Sequence, residues 1–367
     1  MNNKDSVYLK AIGDIAFFNT IFKKNSVSDF QKIIKSLNDT DILFGNFEFP
    51  YSKNKNPYFI NSYEEYIACE KSIPLLQKLN FDILNIATNH IMDWGKEGLA
   101  TTRKILQQQK IQLIGADKNL QSACFPTIIE KDGIKLGFLG YAKKGNWSAT
   151  MKSCGASIID VNLIHENIKN LKNQVDHVIV SLHWGVEFSN YPSPEDIEIA
   201  HQIIDCGASI ILGHHPHVLQ GIESYKNRYI CYSLGNFFYD PFGEKVFVKN
   251  KLQERLETGI FSFKISKSSI DSFEFIPCRI NKNLIPEVLE LEEAEKLSQK
   301  LLIYSQKIGN IKHFYSDVRS NLLRRELETY LRQFKNPIKG LLFLKRNIKL
   351  KHFLLIKNLF FRLLNLL

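Results

Sequence analysis

Residues 208–217 read ASIILGHHPH, an apolar run that breaks into glycine, two histidines, proline and a third histidine. A short run rich in isoleucine and leucine, closed by Gly213 and Pro216, reads as a buried strand that ends in polar residues. The same shape recurs upstream. Residues 7–12 run into Gly13-Asp14, residues 41–44 into Gly45-Asn46-Phe47-Glu48, residues 81–87 into Thr88-Asn89-His90, and residues 177–182 into His183-Trp184-Gly185. Amphipathic stretches at 28–37, 97–109 and 195–206 have the length and period of covering helices. This alternation predicts an α/β layered fold, whose ligands bind outside the carboxyl ends of the strands, where all five polar endings would gather. Asp132-Gly133, between two apolar runs, predicts a hairpin over 127–141, and 261–275 reads as a second antiparallel pair, so the sheet is mixed or doubled.

The chain has 367 residues, 44% of them hydrophobic, which excludes wholesale disorder and leaves ample volume for a core. Its net charge of +10 is concentrated at one end: residues 338–367 carry seven basic side chains and no acidic ones. That segment is also largely apolar, and on a helical wheel most of its cations share one side. From 286 the composition turns to Leu, Glu, Lys and Gln at helical spacing, predicting helices over 286–307 and 318–334, with Pro337 as a break. Three parts are expected: a body over 1–285, a helical extension over 286–336, and a basic amphipathic helix over 337–367. The last can dock on a partner chain or lie in an anionic membrane interface. Nucleic acid is disfavoured, because the basic and aromatic stretch 53–66 comes with no groove-reading motif. Six scattered cysteines without a C-x-x-C pair read as reduced thiols. With no signal-peptide pattern and no uncharged window of spanning length, a cytoplasmic location is expected, with the tail peripheral at the inner face of the membrane.

Five of the ten histidines, His90, His183, His214, His215 and His217, sit in the strand-end motifs. An extended His215-Pro216-His217 would point both imidazoles the same way, toward one cation. Asp14, Glu48, Asn46 and Asn89 also end strands, where they can cap turns and helices or supply oxygen ligands. Carboxylate oxygen with imidazole nitrogen suits manganese, zinc or iron, and two such ions can activate a bridging water for hydrolysis. Asp93 is placed either to accept from the His90 ring or to cap the following helix. Nucleotide-binding glycine loops and a nucleophilic serine elbow are missing.

The ordered set Gly13-Asp14, Asn46-Phe47-Glu48, Asn89-His90 with Asp93-x-Gly95, His183-Trp184-Gly185-x-Glu187, Gly213-His214-His215-Pro216-His217 and Ser233-Leu234-Gly235-Asn236-Phe237 resembles the bacterial CapA family of capsule-synthesis proteins, associated with poly-γ-glutamate. The resemblance spans roughly residues 7–285. It implies a four-layer sandwich like that of the calcineurin-like metallophosphoesterases, two mixed sheets flanked by helices. It further implies metal ligands at Asp14, Glu48, Asn89, His183, His215 and His217, and a general acid at His90, with Asp93 as its companion. Asn46, Trp184, Glu187, His214 and Asn236 are then expected to contact substrate. Metallophosphoesterases open on Asp-x-His, whereas Asp14 is followed by Ile15 and Ala16, so one imidazole of the usual set is missing. The implied function is metal-dependent hydrolysis during assembly of poly-γ-glutamate or a surface polysaccharide, through two divalent ions. The alternative is a non-enzymatic accessory subunit of a capsule synthase or export complex.

Overall fold

The computed structural model describes residues 5–53, 67–240 and 251–321. Its larger compact unit comprises residues 1–244 and 250–318; the other unit, 245–249 and 319–367, falls almost wholly outside the described residues. The expected helices over 318–334 and 337–367 and the basic stretch 53–66 lie largely or wholly outside them too.

Two sheets form the body. In the first, β1 (Ser6–Ile15), β2 (Ile42–Phe47), β3 (Ile83–Asn85) and β4 (Gln112–Ile114) run parallel. On the far side of β1, β14 (Glu257–Ser266), β15 (Ile270–Ile280) and β16 (Pro286–Val288) continue antiparallel, and β13 (Asn236–Phe238) pairs in parallel with the end of β1. In the second sheet, β6 (Thr127–Lys131) and β7 (Ile134–Ala142) form the predicted hairpin, with positive φ at both Asp132 and Gly133. β7 pairs in parallel with β9 (His177–His183), which pairs with β10 (Ile210–His214); β12 (Arg228–Cys231) and β11 (Ile222–Tyr225) complete the sheet. A small pair, β5 (Ala116–Asp117) and β8 (Gly155–Ala156), stands apart.

Alternate side chains of each strand enter different cores, as the period of two requires. Leu9, Phe44 and Ile83 of the first sheet meet Leu136, Phe138, Ile179 and Leu212 of the second, with the Phe44 and Phe138 rings stacked 6.2 Å apart. Ile12, Leu43 and Leu84 face the other way, onto helices Gln31–Asn38, Ile73–Leu79 and Gly95–Gln108. Leu139, Val180 and Ile211 face helices Val161–Leu171 and Pro194–Cys206. The four layers are therefore helix, sheet, sheet, helix, as the resemblance implies. Burial on both faces explains why β2, β9 and β10 are continuously buried.

The helix expected from 286 begins at Leu291, because Pro286–Val288 is drawn into the first sheet as its edge, where proline is tolerated. That helix, Leu291–Gln306, packs Leu297 and Leu301 into the core between the sheets. No helix among the described residues is long and apolar enough to cross a membrane.

Candidate metal centre

Register assembles the site. At the carboxyl ends of the first sheet, Asp14 stands opposite Asn236 on one side and Asn46 on the other, and Asn46 stands opposite Asn85. The result is a row of four fully buried polar side chains across four adjacent strands. The second sheet contributes His183 and His214, which are also cross-strand partners. Loops that follow these strands bring Glu48, Asn89, His90, His215 and His217 to the same place.

Two groups of donors converge, and Glu48 belongs to both. Ligand atoms of Asp14, Glu48 and His217 lie within 4.8 Å of one another, as do those of Glu48, His183 and His215. His217 places Nε2 3.4 Å from Glu48 Oε1 and Nδ1 3.2 Å from Asp14 Oδ2. Asn89 Oδ1 lies 2.7 Å from His183 Nε2. All six residues expected to hold metal are thus brought together. His214 lies beside Asp14, with Nδ1 3.4 Å from Oδ1.

The electrostatics suit cations. Burial alone would raise the Asp14 carboxyl, but hydrogen bonds and charge from His214 and His217 outweigh it and hold the group well below its ordinary range. Burial, reinforced by the neighbouring His215, keeps His183 well below the ordinary imidazole range. Burial also pushes His215 down to about 4, against the opposing charge of Glu187. Both rings are therefore neutral at physiological pH, the form that binds metal. Buried His215 Nδ1 has no hydrogen-bond partner among the described residues. An orphaned imidazole nitrogen beside carboxylate oxygens fits a divalent transition metal.

His215 and His217 converge differently from the expectation of extended backbone. Their φ values are 96° and 60°, and this left-handed turn around Pro216 brings the ring centroids to 5.9 Å. Such conformations cost free energy in residues with a Cβ and cluster at functional sites. Asp93 also resolves: its Oδ2 accepts from His90 Nδ1 at 2.8 Å, while helix Gly95–Gln108 has no side-chain cap. His90 lies against the Phe49 ring, and Asn89 Nδ2 approaches its Nε2 at 3.2 Å. Asn89, His90, Glu187 and His215 retain partial exposure and form the open side.

The residues expected to touch substrate divide. Glu187 is on the open side, and His214 is buried beside Asp14. Asn46 and Asn236 are wholly buried and spend their amides inside the protein: Asn46 donates to Asp14 Oδ1, and Asn236 Oδ1 lies 2.9 Å from His217 Nδ1. Trp184 packs in the outer core, stacked on Tyr232, its indole N–H donating to the Tyr232 carbonyl at 3.1 Å. Sequence reading missed Asn85, the end residue of β3, whose place in the row becomes legible only once β2 and β3 are registered.

The model of the family described as bacterial capsule synthesis protein PGA_cap matches residues 9–241. Among curated relatives, the PGA biosynthesis protein CapA of Bacillus subtilis is 32% identical over 295 residues, 78% of this chain and 77% of the relative. The capsule biosynthesis protein CapA of Bacillus anthracis is 32% identical over 219 residues, 58% of this chain and 53% of the relative. Among solved structures, a 5′-nucleotidase precursor from Thermus thermophilus aligns with a TM-score of 0.46 at 14% identity, covering 82% of this chain and 58% of the other.

Proposed function

Because the chain belongs to the bacterial capsule synthesis protein family, we propose that it is a metal-dependent hydrolase acting on a precursor or polymer during surface-polymer assembly. The observation that carries this reading is the pair of donor groups sharing Glu48, with the His90–Asp93 pair at their open side. Asp14, Glu48, His217, His183, His215 and Asn89 would hold two divalent cations. Bound there, the cations supply acidified water and stabilisation of negative charge developing on oxygen. The chain's own groups do the rest. Asp93 accepts from His90 Nδ1 and fixes the ring, leaving Nε2, which Asn89 Nδ2 approaches at 3.2 Å, as the nitrogen that exchanges a proton with the substrate. From that position His90 protonates the leaving group. Glu187, partly exposed and close enough to act on His215, orients the substrate.

The test is elemental analysis of protein purified without chelator, with turnover of an aryl phosphate in added manganese, zinc or iron. About two metal equivalents and metal-dependent turnover, both lost in Asp14→Ala and His215→Ala proteins that still fold, are expected. Absence of metal and of turnover after reconstitution would overturn the hydrolase and leave the accessory-subunit reading. We place the chain in the cytoplasm, with its basic tail toward an anionic membrane surface or a synthase subunit.

A further inference from the structure

We propose that Asn85 is a positioning residue of the metal centre, which by fixing the orientation of the Asn46 amide makes Asn46 present N–H rather than oxygen to Asp14. The inference rests on the metal-binding reading above.

The backbone N–H of Ala87 can only donate, and it donates to Asn85 Oδ1 at 3.1 Å. The other end of the Asn85 amide is therefore Nδ2, which donates to Asn46 Oδ1 at 2.7 Å. With its oxygen engaged, Asn46 turns Nδ2 the other way, onto Asp14 Oδ1 at 2.9 Å. Each step fixes the next, and none is open to water, because Asp14, Asn46 and Asn85 are all wholly buried. If Asn46 were reversed, its carbonyl oxygen would face a buried carboxylate, a repulsive contact in a site that water cannot relax.

The surroundings keep the Asn85 amide in place. Gly115 and Gly140 flank it: a Cβ on Gly115 would lie 2.6 Å from Asn85 Oδ1, and one on Gly140 would collide with the same atom. Gly115 also has a φ of 93°, a conformation that favours glycine. Gly115, just past β4, and Gly140, within β7, thus leave room for this one amide, whose own hydrogen bonds go to Ala87 and Asn46. Groups hydrogen-bonded to metal ligands, as Asn46 is to Asp14, orient them, and their loss commonly weakens metal binding about 10- to 100-fold; Asn85 acts through Asn46.

Two substitutions separate this role from support of the local turn. Asn85→Asp keeps an oxygen for the Ala87 N–H and, when ionised, cannot donate to Asn46, so affinity is read across a pH series that reaches the ionised form. Its added negative charge would tighten cation binding if charge alone mattered. Asn85→Ser is neutral, can still accept from Ala87, and is too short to reach Asn46. Manganese affinity is read by competition with a fluorescent chelator for the full chain, both variants, Asn46→Leu, and Asn46→Leu combined with each. We expect each Asn85 variant to bind manganese about 10- to 100-fold more weakly, with no further loss once Asn46 is leucine. Affinities within about twofold of the parent, or losses that add in the double variants, would overturn the inference. Failure of the parent chain to bind manganese would instead overturn the metal reading, and this inference with it.

Discussion

Two buried imidazoles that stay neutral give the folded chain a particular response to acid. In the unfolded chain His183 and His215 take up protons near pH 6.5, whereas in the fold His215 does so only at about 4 and His183 well below its ordinary range. Between those values the unfolded state binds more protons, so stability rises with pH across that window. For chelator-treated protein we expect His215 alone to make unfolding at pH 5 easier than at pH 7.5 by about 2 kcal/mol. Asp14, held low, acts in the other limb: its stabilisation is present above the ordinary carboxylate range and is lost only as pH falls through its depressed value. Urea titrations at the two pH values would check this, and equal midpoints would show that these rings are not held neutral.

Strands β1 and β13 approach so closely beside Asp14 that the backbone itself is the constraint. Asp14 N–H donates to the Gly235 carbonyl at 2.8 Å, and a Cβ on Gly13 would collide with that same carbonyl. Gly13→Ala is expected to destabilise the fold by about 1–3 kcal/mol, since backbone cannot move aside as a flexible side chain can; an unchanged denaturation midpoint would contradict the close approach. Elements of this kind mark how far the sequence could be read. Apolar runs ending in polar residues were legible because strand period and strand termination are local properties, so the strand-end residues could be named as candidates; the choice of Asp14, Glu48, Asn89, His183, His215 and His217 among them came from the resemblance to the CapA family. The left-handed turn at His215 and His217 was not legible, because nothing in His-Pro-His demands it. Nor was the inward commitment of Asn46, Asn236 and Trp184, which depends on what the neighbouring strands place beside them. Asn85 was invisible for the same reason, and Pro286 read as helical until its edge-strand partner was known.

At the scale of the molecule, charge and chemistry are separated along the chain. Among the described residues every donor of the centre lies before residue 240, while residues 338–367 carry seven basic side chains and no acidic ones. Full-length protein is expected to float with liposomes containing anionic lipid, and a form ending before Pro337 is not; equal flotation would remove the tail as the anchor. The centre itself draws on both sheets: Asp14 and Glu48 come from the strand ends of one, His183, His215 and His217 from those of the other. An ion shared between them would rivet two layers that are otherwise joined by apolar packing and by the polar contacts of Asp14, Glu48 and Asn89 with the histidines. Occupancy would then be felt mechanically as well as chemically, since prising the sheets apart would first require the rivet to let go. Metal supply would thereby set how long the protein survives as well as how fast it works.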